Sequence, residues 1–364
     1  MADHPTLPSP QGTGPVVSVY LDLAVAATGH GGEIPLRWRA LRSVLSQQGA
    51  GEDVLHLIDE RVRTIEPSPR TLAAFVQEGR LEAEELEDCV APDAASFGPL
   101  PMVVPLLRWR QQWVPYVVAL VDRAGADLAA YLGAGAPVAE QVVVGPDDEI
   151  ERNAPGGWAG LAQGRYQHRA EDSWAHNAAE VSTHLARLVA EVDAKLLLTA
   201  GDVRAVQELT EHLPEPLRRL QEHVTTGLEQ QAPGRARLQR VTVTSRVRAA
   251  AARARAQVLN EVAEAVGGKH HVAGEEQCTE ALRRGAVRRL VVVDRPGDER
   301  WAWTWSDPLR LAPADVPPAE VPGAVPAPMR EALVRAAFAQ SADVTVVGPD
   351  EVEVQDGLAA LVRF

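Results

Sequence analysis

The residues best suited to chemistry lie in one short run, Gly160-Leu161-Ala162-Gln163-Gly164-Arg165-Tyr166. Glycine has no Cβ and tolerates positive φ, so a backbone carrying Gly160 and Gly164 can come close to a ligand. The Gln163 amide offers one acceptor and two donors without charge. That inventory suits orienting a water, or stabilising a developing oxyanion, at an ester. It does not suit nucleophilic attack or proton transfer by the glutamine itself. The plainer alternative is a surface loop in which Gly-x-x-Gln arises by chance.

Cationic and imidazole side chains surround the run: Arg152, Arg165, His168, Arg169 and His176. Phosphates of a nucleic acid would suit them, against the alternative of ordinary surface charge. A second basic stretch carries Arg235, Arg237, Arg240, Arg246, Arg248, Arg253 and Arg255, with no acid between Gln230 and Asn260. In a chain of net charge −14 this is a local excess. Arg246, Arg248 and Arg253 are its candidates for contacts to nucleic-acid phosphates. A solvated helix face in an arginine-biased chain is the competing reading.

Other groupings point away from chemistry. His168, His176 and His184 are eight apart, whereas ligand pairs on one helix sit three or four apart, so no metal or cofactor is expected. Asp122 and Asp127 lack the partner carboxylates that a two-metal nuclease needs. Trp301, Trp303 and Trp305 alternate and are expected to pack on one face of an edge strand rather than stack on bases.

The elements that must position these residues follow from periodicity. Pro15–Leu23 reads as a strand, Leu36–Leu45 and Asp53–Ile65 as amphipathic helices, and Thr71–Cys89 as a further helix. Ala91–Pro105 reads as loop. Trp113–Val121 and Asp127–Gly133 form a hairpin around Asp122–Gly125, and Gln141–Val144 is another strand. A helix over Asp172–Val192 follows the glycine-rich loop, then a buried strand at Lys195–Thr199 and helices at Asp202–Leu209 and Glu215–Glu222. Together these predict an RNase H-like α/β layer. Arg246–Val266 is a long helix, Gly274–Arg284 a second one ended by Gly285, and Val287–Asp294 a buried strand. Ala312–Pro328 reads as a Pro-rich insertion. Pro328–Gln340, Ala342–Val347 and Gly357–Phe364 complete a helix–strand alternation that predicts a second α/β sandwich.

The 364 residues, 46% hydrophobic and 24% charged, give room for two or three domains. The expected partition is a tail at 1–15, an N-terminal α+β domain at 16–110, a central α/β domain at 111–240 and a C-terminal α/β sandwich at 241–364. The acidic balance argues against nucleic-acid binding by the whole surface, DNA included, but leaves room for a local basic face. No apolar run is long enough to cross a membrane. Met1–Pro15 lacks a basic n-region and an apolar h-region, and Cys89 and Cys278 make no disulfide framework, so a cytoplasmic location is expected.

Four segments, in order, carry a family resemblance: LAQGRYQHRAEDSWAHNAAEV (161–181), LLLTAGDVRAVQEL (196–209), VAGEEQCTEALRRGAVRRLVVVD (272–294) and DGLAALVRF (356–364). Over roughly residues 113–364 the chain resembles the bacterial branch of the archaeal and eukaryotic class-1 release factor and Pelota superfamily. The resemblance implies a C-terminal sandwich of the kink-turn-binding ribosomal protein type. It also implies a ribosome-associated factor with rRNA and peptidyl-tRNA as partners, and a translational GTPase beside them. Release factors carry Gly-Gly-Gln; here the corresponding register holds Ala159, Gly160 and Leu161, with Gln163 two residues later. That Gly-x-x-Gln form is similar to the peptidyl-tRNA hydrolases of ribosome quality control. The implied roles are Gln163, Gly160 and Gly164 at the scissile ester, on stalled ribosomes. Two other readings stay open. One is non-catalytic hibernation by filling the A site, since the chain is also similar to the hibernation factor Balon. The other is a protein-binding module on a degenerate release-factor core.

The N-terminal segment lacks Asn-Ile-Lys-Ser and any Cys-containing codon-reading motif, and its acidic run from Glu82 to Asp88 would repel mRNA phosphates. Ribosome binding is therefore expected to be indifferent to the A-site codon. Binding measured on complexes with a stop codon, a sense codon or an empty A site checks this. A tenfold preference for stop codons, about 1.4 kcal/mol, would restore a termination role.

Overall fold

The structure, a computed structural model, describes residues 14–24, 33–87, 89, 92–122, 125–144, 177–224, 240–266, 271–295, 297–298 and 300–363. Two compact units separate. One comprises Gln112–Ala254; the other joins Pro5–Gln111 with Arg255–Phe364.

The first unit is built on a five-stranded sheet. Its strands are β5 (Tyr116–Asp122), β6 (Gly125–Tyr131), β7 (Ala139–Val144), β8 (Leu196–Gly201) and β9 (Gln221–His223), in the order β7-β6-β5-β8-β9. β5 pairs parallel with β8, β8 parallel with β9, and β6 antiparallel with both neighbours. This is the RNase H-like layer the sequence predicts, with the first strand central. Val117, Ala119 and Val121 of β5 point to one face. There they share a core with Val181, Leu185, Leu188 and Val192 of helix α4, whose described part is 177–192. The spacing of those four apolar residues is the helical period that marked the helix in the sequence. Helices α5 (Val203–His212) and α6 (Glu215–Leu220) follow β8. The expected helix over Glu215–Glu222 is cut short because Gln221 leaves it to pair with Leu197 as β9.

In the second unit, β1 (Val16–Asp22), β2 (Arg70–Gln77), β3 (Arg80–Glu87) and β4 (Ala94–Gly98) form a sheet ordered β3-β2-β1-β4. Helices α1 (Glu33–Gln47) and α2 (Glu52–Thr64) cover it, with Trp38, Leu41, Leu45, Leu55 and Ile58 in the core against Val17, Val19 and Leu21. The helix expected over Thr71–Cys89 is overturned, because this segment is the β2–β3 hairpin. Ala, Leu and Glu give it high helix propensity, but pairing with β1 outweighs that preference. Glu78 and Gly79 make the turn, both at positive φ (51° and 74°), a geometry that glycine supplies without strain. The loop expected over Ala91–Pro105 is corrected too, since it contains β4. The acidic run on β3 is not a bare negative face. Glu84 pairs with Arg110, Glu85 with Arg61 and Arg70, and Glu87 with Arg70, at 2.6–3.1 Å.

The C-terminal part of this unit is a three-layer sandwich. β10 (His271–Ala273), β11 (Val287–Val293), β15 (Asp343–Val347) and β16 (Leu358–Val362) form a sheet ordered β10-β16-β11-β15. Leu290 and Val292 face helices α8 (Glu275–Arg283) and α9 (Met329–Ala339). Val291 and Val293 face Val258, Leu259 and Val262 of helix α7 (Arg240–Val266). The Pro-rich insertion holds β13 (Leu311–Pro313) and β14 (Val325–Pro328), which flank β12 (Trp301–Thr304). The tryptophan strand is thus central, not an edge. Trp303 and Trp305 spend their indole N–H groups on the carbonyls of Val316 and Pro322.

Helix α3 (Val104–Arg110) joins the two parts of this unit. Val103, Val104 and Leu107 lie in one core with Leu282, Val292 and Leu333. Glu331 of α9 is buried and accepts the backbone N–H groups of Val103 (3.0 Å) and Val104 (3.3 Å). Tyr20 donates to the Met102 carbonyl and accepts from the Leu106 N–H. Burial pushes the Glu331 carboxyl from 4.5 up to about 7, against the opposing pull of the two N–H groups and Arg330. A raised carboxylate pKa contributes stability that is fully present below its unfolded value and is lost as pH rises through its folded value. A tenfold difference in proton affinity between the folded and unfolded chain corresponds to about 1.4 kcal/mol. The stability of the native chain relative to Glu331→Gln should therefore fall by about 2–3 kcal/mol between pH 5 and pH 8. Denaturant titrations of both proteins at the two pH values check this; a difference independent of pH would contradict it.

Candidate functional site

The candidate catalytic residues Gly160, Gln163 and Gly164, and the flanking Arg152, Arg165, His168, Arg169 and His176, lie outside the described residues. What the structure describes is the platform on either side of them. β7 ends at Val144 and α4 resumes the chain at Asn177. Both belong to one end of the sheet: Val144 pairs with Gly125, at the hairpin turn where β5 ends. Asp122 closes that turn by accepting the Gly125 N–H at 3.0 Å. A recess lined by Val121, Asp122, Asn177, Ala178 and Ala205 among others opens there. This is the carboxyl end of β5 and β8, where open α/β sheets place their ligands.

Three local devices fix this end. Gly201 has φ of +129°, and a Cβ on it would stand 1.9 Å from the Val121 carbonyl oxygen, so β8 and β5 can close only with glycine there. Asp202 then caps α5, accepting the N–H groups of Arg204 (2.9 Å) and Ala205 (3.0 Å). Gln141 of β7 lies 2.6 Å from His184 Nδ1 of α4 and accepts from Arg187 at 2.7 Å, which ties together the two elements that flank residues 145–176. His184 thus serves a structural contact. Asp122 is likewise a turn residue. Among the described residues, no group of three or more His, Cys, Asp or Glu is placed to hold a metal.

Arg246, Arg248 and Arg253 lie on the N-terminal half of α7, and the structure gives them partners that the sequence does not. Arg248 sits over the Trp113 ring, 5.2 Å from its centroid. Arg253 donates to Glu222 of β9 at 2.6 Å, and Arg246 approaches the other oxygen of the same carboxylate at 3.6 Å. Arg255 faces elsewhere, into an ion pair with Glu351, and holds that carboxyl below its ordinary range. Arg240 starts the helix, and Arg235 and Arg237 lie outside the described residues. Glu222, Trp113 and Gln141 carry no signal of their own in the sequence; each becomes visible only through a neighbour from another element.

Residues 115–268 match the model of bacterial archaeo-eukaryotic release factor family 2. Two uncharacterized proteins of Mycobacterium tuberculosis, one from each of two strains, are each 29% identical over 211 residues. The match covers 56% of this chain and 54% of theirs, so it spans about half the length of these curated relatives. Among solved structures, the archaeal termination factor aRF1 is similar at 18% identity over 96% of this chain and 92% of its own, with a TM-score of 0.23. Archaeal Pelota, from a model of its ribosome-bound form with ABCE1, is 14% identical over 96% and 90%, with a TM-score of 0.41. Dom34 of S. cerevisiae is 9% identical over 81% of each chain, at 0.40.

The platform makes two contrasting demands. Gly201→Ala should cost about 2–4 kcal/mol, because backbone and not a side-chain tip stands in the way. Asp202→Ala should cost about 1 kcal/mol, the loss of an N-cap. Urea titrations of the full chain check both, and equal effects would contradict the close approach. The RNase H-like sheet is where the family match falls: residues 115–268 are similar to bacterial archaeo-eukaryotic release factor family 2.

Proposed function

We propose that the protein is a ribosome-associated translation factor that acts on stalled ribosomes and hydrolyses the peptidyl-tRNA ester. The observation that carries this reading is the family match over 115–268, which contains the whole Gly160–Gly164 run. Gly160 and Gly164 let the backbone enter a narrow RNA-lined site. Gln163 orients the attacking water and supplies an uncharged donor to the oxyanion. Arg152, Arg165, His168, Arg169 and His176 hold the acceptor-end phosphates. Arg246, Arg248 and Arg253 meet rRNA phosphates. A translational GTPase is the further partner that the family resemblance implies. The site as proposed uses no metal.

One observation favours a second reading, that the protein fills a vacant A site without chemistry. Ala159-Gly160-Leu161 stands where release factors carry Gly-Gly-Gln. Peptide release from purified ribosome–peptidyl-tRNA complexes separates the two. Gln163→Ala should lower the release rate by about 10²–10³-fold while leaving co-sedimentation with ribosomes within a few-fold. If the native chain frees no peptide, hydrolysis is excluded and A-site occupation takes its place.

A further inference from the structure

Arg246 and Arg253 are seven residues apart on α7, two turns along one face of the helix. Their guanidinium groups converge on one carboxylate, that of Glu222: Arg253 on Oε1 and Arg246 on Oε2. α7 has no acid before Glu261, so this counter-charge comes from a different element. Glu222 is placed by its strand. On the opposite face of β9, Gln221 is pinned by hydrogen bonds to Thr199 (3.1 Å) and Thr210 (2.9 Å). The pair of cations remains accessible, with side chains 52% and 60% exposed, against 25% for Glu222. Two arginines against one acid leave one positive charge in excess. Two guanidiniums meeting on two oxygens of one anion is also the geometry in which arginine holds a phosphate.

We propose that Arg246 and Arg253 form a two-pronged clamp for an RNA phosphodiester, and that Glu222 occupies this clamp in the free protein as an internal competitor. The proposal rests on the reading that α7 meets RNA. Binding exchanges the carboxylate for a phosphate, so weak or isolated phosphates are refused and only a backbone that also engages neighbouring cations displaces Glu222. An exposed ion pair of this kind contributes little to stability, which leaves selectivity as the consequence of placing an acid there.

The test uses the full chain and a fluorescein-labelled RNA duplex, read by anisotropy across a salt series. Glu222→Gln should tighten binding about three- to tenfold; Glu222→Ala, the second variant, should do the same with an unchanged near-UV circular dichroism spectrum. Arg246→Glu with Arg253→Glu should weaken binding more than tenfold and flatten the salt slope by about one. In that background Glu222→Gln should have no effect. If the arginine variants weaken binding but neither Glu222 variant tightens it, the competitor role is overturned and the RNA reading of α7 survives. If the arginine variants leave binding unchanged, that reading falls and the clamp with it.

Discussion

The parallel pairing of β5 with β8, in register from Tyr116↔Leu196 to Val121↔Gly201, is the constraint on which the central unit depends. It brings segments separated by residues 145–176 and α4 into one sheet. The two backbones close so tightly at the far end that residue 201 must be glycine. The chain then turns at once into α5 under the Asp202 cap. With that end closed, β7 and α4 meet across Gln141, His184 and Arg187. The two elements that flank residues 145–176 are thereby held to each other.

Charge is arranged on a second principle. The chain is acidic overall, and among the described residues several of its acids are paired with arginine. Those of β3 pair with Arg61, Arg70 and Arg110, and Asp294 pairs with Arg108 and Arg330. Exposed pairs of this kind add little to stability; their larger effect is on the local field. On the N-terminal half of α7 two cations, Arg246 and Arg253, face one acid, Glu222, within the segment that the family model matches.

Much of this was legible in the sequence where a signal was local. The period of Val181, Leu185, Leu188 and Val192 marked α4, and Asp202 ahead of an apolar period marked the start of α5. Asp122 and Gly125 marked the β5–β6 hairpin. What failed did so for tertiary reasons. Residues 70–87 carry helix-forming side chains, and pairing with β1 makes them strands. Trp301–Thr304 reads the same as an edge or a centre until β13 and β14, drawn from the Pro-rich stretch, are seen to flank it. The contact of Glu331 with Val103 spans 228 positions, and no short-range pattern encodes it. The candidate site divides in the same way. The glycine–glutamine run and the basic stretch stand out by composition, whereas Glu222, whose partners sit on another element, does not.

The decisive point is where β7 and α4 deliver the segment they carry. A photo-reactive phenylalanine analogue in place of Tyr166, three residues from Gln163, reports this directly on ribosomes stalled with peptidyl-tRNA. Cross-links to large-subunit rRNA at the peptidyl-transferase centre, or to the 3′ end of the P-site tRNA, are the result expected. Cross-links confined to the small subunit, or their absence from a protein that still co-sediments with the ribosome, would contradict it.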